Sequence, residues 1–146
     1  MEATGKWKLN VDGSFLPTIL CGGTGGILRD YQESFKVAFV IPIPTPTSAK
    51  QVEVWAIKEG MKLLKTLNIV RVTVETDCLE AMKAISDVQG THMGLEGFIY
   101  DIREYLSSTP GISIRHISRT CNSVAHRLAA TQHMKLQTQL FGWILL

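Results

Sequence analysis

Only three cysteines (Cys21, Cys78 and Cys121) occur among the 146 residues. They are widely spaced, and none forms the C-x-x-C pair of a zinc ribbon or redox dithiol. An odd set of scattered thiols also excludes a disulfide framework and points to an intracellular, non-secreted chain with reduced cysteines. Neither sign of charge is in large excess. Fifteen Lys and Arg against thirteen Asp and Glu leave a net charge of +2, a balance that permits nucleic-acid binding without indicating it. Long apolar runs are missing too. The longest, Phe-Gly-Trp-Ile-Leu-Leu at the end, is far short of the roughly 20 residues that cross a bilayer. It is read as a docked or frayed end, with no membrane expected. The opening MEATGKWKLNVDG has no apolar core of the kind a secretory leader carries. No repeat with a solenoid period is present.

What remains is the composition of one folded domain. Hydrophobic residues make up 45% and charged residues 19%, which excludes a disordered chain. Trp7, Leu9 and Val11 alternate with Lys8, Asn10 and Asp12, the period of a half-buried strand, and Asp12-Gly13 is expected to end it. The cluster Gly22 to Gly26 leads into Ile27-Leu28-Arg29, and an apolar run spans Phe35 to Ile41. Together these predict an antiparallel meander of three strands. Pro42 to Pro46 predicts a loop. Ser48 followed by Gln51 matches a capping box that opens a long helix to about Leu67. Arg71 to Glu75 alternates as a strand, and Asp77 with Glu80 reads as the cap of a short helix to about Asp87. A third helix is expected over about Leu95 to Leu106, a strand over Ile112 to His116, and a last helix through Val124, Ala125, Leu128 and Ala129. The order βββαβααβα predicts an α/β domain, a mixed sheet flanked by helices.

On a helical wheel Val52, Ala56, Leu63 and Leu67 line one side of the apolar arc, and Ile57 and Leu64 the other. Glu53 falls between them, while Lys58, Glu59, Lys62 and Lys65 face away. A carboxylate in a buried stripe is costly unless something positive or hydrogen-bonding meets it. Taken singly, Glu53 could be a capping acid leaning out, Asp12 a turn residue and Asp77 an N-cap. As a set they are three acids at the ends of three different elements. If those elements are neighbours the carboxylates converge, and converging carboxylates repel unless a divalent cation neutralises them. Oxygen donors favour Mg²⁺ or Mn²⁺ over zinc, and a pair of such ions is the usual device for in-line phosphodiester hydrolysis.

The segments KWKLNVDGSF, GGTGGILRD, QVEVWAIKEG, VTVETD and RHISRTCNSVAHRLA resemble, in order and interval, the type 1 ribonuclease H domain. More narrowly they resemble the plant ribonuclease-H-like group related to reverse transcriptases of non-LTR retroelements. The resemblance implies a ribonuclease H-like domain over residues 6–133, with extensions at 1–5 and 134–146. It also implies a five-stranded mixed sheet and Mg²⁺-dependent cleavage of the RNA strand of RNA–DNA hybrids. A monomer is expected. The first three acids of the family's catalytic set map to Asp12, Glu53 and Asp77, which would also be the metal ligands. The fourth belongs to a motif N-x-x-A-D-x-L-A, which here runs from Asn122 to Ala129 with His126 in the acid's place. His116 falls where active members carry a mobile catalytic histidine, but without their glycine-rich loop; otherwise it is a strand-end histidine. Gly13 and Ser14 map to backbone that approaches the 2′-hydroxyls of the RNA strand, although Gly13 also reads as a plain turn glycine. Neutral imidazole is a poor partner for Mg²⁺ and an acceptable one for Mn²⁺, so the expected activity is weak in Mg²⁺ and partly restored by Mn²⁺. A catalytically feeble nucleic-acid-binding module and a purely structural or protein-interaction domain are the alternatives. The cluster Gly22 to Gly26 lacks the Gly-Lys-Ser/Thr of a phosphate loop, and the four histidines share no zinc-ligand spacing with cysteine.

Overall fold

The computed structural model describes residues 6–87, 90, 92 and 94–131, and the backbone of 143–145. His133 and most of the apolar tail lie outside the described residues. Strands β1 (Trp7–Leu16), β2 (Cys21–Arg29) and β3 (Phe35–Ile43) form the antiparallel meander. Helix α1 (Ala49–Leu67) crosses over to β4 (Val72–Thr76), which runs parallel to β1. Helices α2 (Leu79–Ser86) and α3 (Glu96–Ser108) lead to β5 (Ile112–His116), parallel to β4. A 3₁₀ turn (Arg119–Asn122) feeds helix α4 (Ser123–Ala130). The expected five-stranded mixed sheet is therefore present. A short β6 (Trp143–Leu145) adds to the edge beyond β3, giving the order β5-β4-β1-β2-β3-β6. No helix among the described residues is long and apolar enough to cross a membrane.

The ends of α1 follow from its sequence. Ser48 accepts a hydrogen bond from Gln51 N at 3.0 Å, and the Gln51 side chain accepts from Thr47 N at 2.7 Å, a capping box shifted by one residue. Asn68, in the left-handed region at φ 56°, returns its N–H to the last carbonyls and stops the helix. The apolar stripe of α1 lies on Leu9 and Val11 of β1, and α4 covers the opposite face of the sheet. Four residues or pairs depart from the sequence reading, and cover on both faces explains those on β1. Asn10 and Asp12, expected on a wet face, are 3% and 4% exposed. Asp12-Gly13 does not end the strand; β1 continues through it. Glu59, expected to face solvent, is buried and takes a hydrogen bond from Trp55 Nε1 at 3.3 Å. Leu67, expected in the core, is exposed at the last position of α1.

The glycines of β2 are the strand itself, not its approach. A Cβ on Gly25 would lie 2.4 Å from Ala129 N and 2.8 Å from Leu128 Cβ, so α4 can settle onto the sheet only where no side chain intervenes. Gly25→Ala is therefore expected to destabilise the fold by about 1–3 kcal/mol or more, measured as a lower urea midpoint at unchanged slope. Pro42, expected to break the strand, pairs with Gly23 near the end of β3. There a proline's missing N–H can be directed away from the ladder.

Candidate active site

Three elements bring one acid each to the same point. β1 and β4 are parallel neighbours, and Val11 pairs with Thr76. The next residues along the chain, Asp12 within β1 and Asp77 just past the end of β4, therefore emerge side by side. Glu53 arrives from α1. That helix comes so close to β1 that a Cβ on Gly13 would sit 2.5 Å from the Val52 carbonyl and 2.8 Å from Glu53 N. Gly13 thus lies inside a strand, not a turn, and glycine is required there by the helix backbone. Its N–H donates directly to Glu53 Oε1. Asp12 points to the other face, toward α4, as does its cross-strand partner Gly25. One carboxylate oxygen each from Asp12, Glu53 and Asp77 lies within 4.8 Å of the others.

The electrostatics are those of crowded anions. Burial, reinforced by the charge of Asp12, pushes the Glu53 carboxyl up to about 9 from 4.5. The Gly13 N–H opposes this only in part. Burial and then Asp12 also raise Asp77, while a hydrogen bond from Asn122 and the Arg119 guanidinium pull it back down. Among the described residues no lysine or arginine closes an ion pair on any of the three acids. The lysine and arginine bridges join other residues, such as Lys8 to Glu33 and Arg115 to Glu75. An all-oxygen donor set with no lysine or arginine paired to it fits a hard divalent cation better than zinc. Cys78 adds nothing to metal binding. Burial raises its thiol to about 11, and its sulfur accepts from Ala81 N at 3.4 Å to cap α2. The cap of that helix is therefore Cys78, one residue beyond the expected Asp77, which leaves the Asp77 carboxylate available to the cluster.

His126, on α4, places Nδ1 2.8 Å from Asp12 Oδ2 with its ring about half exposed. The imidazole thus adjoins the acid cluster and occupies one oxygen of Asp12. His116, at the end of β5, is exposed and sets Nε2 3.2 Å from the Asp77 carbonyl, at the rim of the same site. Ser14 lies on β1 opposite Gly23, half-buried, two residues beyond Asp12. The acids open into a cleft of about 430 Å³, whose lining includes Phe15, Lys50, Arg119 and His126. Lys50 and Arg119 were not singled out from the sequence. The signal available was modest: a lysine in the first turn of the helix bearing Glu53, and an arginine three residues before Asn122.

A family model described as reverse transcriptase-like matches residues 10–132. No curated protein sequence matches. Among solved structures, the ribonuclease H1 of the halophilic archaeon Halobacterium salinarum is 18% identical with a TM-score of 0.80, over 90% of this chain and 99% of that one. A ribonuclease H1 isolated from compost, LC11, solved in complex with an RNA/DNA hybrid, is 18% identical with a TM-score of 0.80, over 91% and 100%. The ribonuclease H domain of prototype foamy virus is 20% identical with a TM-score of 0.72, over 90% and 97%. The fold of this chain is that of a ribonuclease H domain.

Proposed function

This chain belongs to the reverse transcriptase-like family, and from that premise we propose that it is a metal-dependent endonuclease for the RNA strand of RNA–DNA hybrids, weakened by His126. The observation that carries the reading is the meeting of Asp12, Glu53 and Asp77 within 4.8 Å at the floor of an open cleft. These three would hold Mg²⁺, or Mn²⁺ in its place. When bound, the cations supply Lewis-acid stabilisation of the phosphate and a water of lowered pKa. The chain's own residues do the rest. Lys50 and Arg119 on the cleft wall offer positive charge to the phosphodiester backbone. Backbone at Gly13 and Ser14 approaches the sugar edge, so recognition would be by the 2′-hydroxyl and independent of base sequence. His116 stands at the rim with an exposed ring able to carry a proton to or from the scissile group. The histidine in the motif from Asn122 to Ala129 supports assignment to the plant, retroelement-related group.

The contact between His126 and Asp12 favours one second reading. With an oxygen of Asp12 engaged by imidazole, one of the three acids is compromised as a metal ligand, as in a nucleic-acid-binding module with little catalysis. A labelled hybrid incubated with Mg²⁺, Mn²⁺ or EDTA tests both. The expected result is slow cleavage in Mg²⁺, roughly tenfold faster in Mn²⁺, and none in EDTA. Brisk, equal turnover in both metals contradicts the weakening ascribed to His126. Retention of the hybrid without cleavage in either metal supports the second reading.

A further inference from the structure

Asn122 stands immediately before α4, where an asparagine ordinarily turns its side chain onto the helix's free N–H groups. Here it makes no such cap. Its side chain is 1% exposed and is directed into the sheet. Nδ2 donates to the Val11 carbonyl at 2.8 Å, one residue before Asp12. Oδ1 accepts from Asn10 Nδ2 at 3.2 Å, and the amide also hydrogen-bonds the Asp77 side chain. Asn10 is fixed in turn by Glu75 Oε1 at 3.0 Å and Arg29 at 3.1 Å. A single buried amide therefore joins the strand of Asp12, the carboxylate of Asp77 and the start of the helix that carries His126.

We propose that Asn122 is a positioning residue for the acid cluster: it locks α4 to β1 and to Asp77, and so sets the spacing of the carboxylates and the reach of His126. The proposal rests on the metal-site reading above. Asn122 touches no reacting atom; it acts through Asp12, Asp77 and His126. Groups of this kind around metal ligands, when removed, typically lower metal affinity or activity 10- to 100-fold.

The test titrates Mn²⁺ into the full chain by calorimetry and follows amide hydrogen exchange in EDTA. It compares the native protein, Asn122→Ala, and a variant of α3 (Ile99→Val or Ile99→Ala) chosen to match the melting temperature of Asn122→Ala. Asn122→Ala is expected to weaken Mn²⁺ binding about tenfold or more and to speed exchange of the α4 amides relative to β1, whereas the matched variant changes neither. Should Asn122→Ala not fold, Asn122→Ser, too short to reach Val11 and Asp77 together, is expected to show the same loss. Native-like Mn²⁺ affinity, or a loss no greater than the matched variant's, overturns the proposal. If the native chain takes up no Mn²⁺, the metal-site reading fails by itself. Exchange then decides the role of Asn122: selective loosening of α4 supports it, and unchanged α4 protection overturns it.

Discussion

Glu53→Gln is expected to melt higher than the native chain at pH 8 in EDTA, and to lose hybrid cleavage by roughly 10³-fold. Glutamine keeps an oxygen to accept from the Gly13 N–H and removes only the charge that burial and Asp12 make costly. The sign follows from linkage. The carboxyl titrates near 4.5 when unfolded and near 9 when folded. Between those values the folded chain keeps a proton that the unfolded chain has released. Stability contributed by the neutral acid is full below pH 4.5 and falls as pH rises toward about 9. The native protein without metal should therefore lose melting temperature with rising pH across this window. Glu53→Gln should lose less, and saturating Mn²⁺ should restore the native protein most at the alkaline end. Melting curves from pH 5 to pH 9, with EDTA or Mn²⁺, measure all three. A native melting temperature that rises with pH in EDTA, or a glutamine variant less stable at pH 8, contradicts the crowding of charge at this site.

His126→Asp is expected to do the reverse. The imidazole now lies 2.8 Å from Asp12, so a carboxylate there joins the cluster as a fourth acid. With metal, the added negative charge strengthens the site, and Mg²⁺-dependent cleavage should rise by roughly 10- to 100-fold. Without metal the same charge adds to the repulsion among Asp12, Glu53 and Asp77, so melting temperature in EDTA should fall below that of the native chain. The pairing of outcomes matters. A gain in activity with no loss of metal-free stability would mean that residue 126 helps by some route other than charge at the cluster. No gain at all would remove His126 from the site. Steady-state cleavage in Mg²⁺ and melting in EDTA, on the same preparations, give both readouts.

Much of this fold is readable before any coordinates. β5 falls on the expected Ile112 to His116, α1 starts at the expected Ser48 cap, and the order of elements is as the periodicity implies. The glycine departures share a physical origin, close approach of helix to sheet. Asp12-Gly13 and the Gly22 to Gly26 cluster read locally as turn chemistry. In the fold their missing Cβ atoms admit α1 and α4, a requirement set by residues far away in the chain. Glu59 is buried because Trp55 supplies a donor four residues earlier, which a wheel cannot weigh against its charge. Cys78 in place of a stronger capping residue disguises the start of α2 and makes Asp77 look like the cap.

The acid cluster was legible in a different sense. Residue types marked Asp12, Glu53 and Asp77 as unusual, but nothing local makes them meet. That depends on β1 and β4 pairing in parallel with Val11 opposite Thr76, a pairing of distant segments that no local pattern reveals. The role of Asn122 was hidden for the opposite reason. An asparagine before a helix has so good a local explanation, capping, that its burial beneath Asp12 and Asp77 leaves no trace in the pattern.

Calorimetric titration of Mn²⁺ into the native chain and into Asp12→Asn, Glu53→Gln and Asp77→Asn, at pH 8 without nucleic acid, bears most directly on whether these acids share a cation. Saturable uptake by the native protein is expected, with a loss of about tenfold or more in affinity for each amide variant. Native protein that takes up no Mn²⁺, or amide variants that bind it as tightly as the native chain, would contradict it.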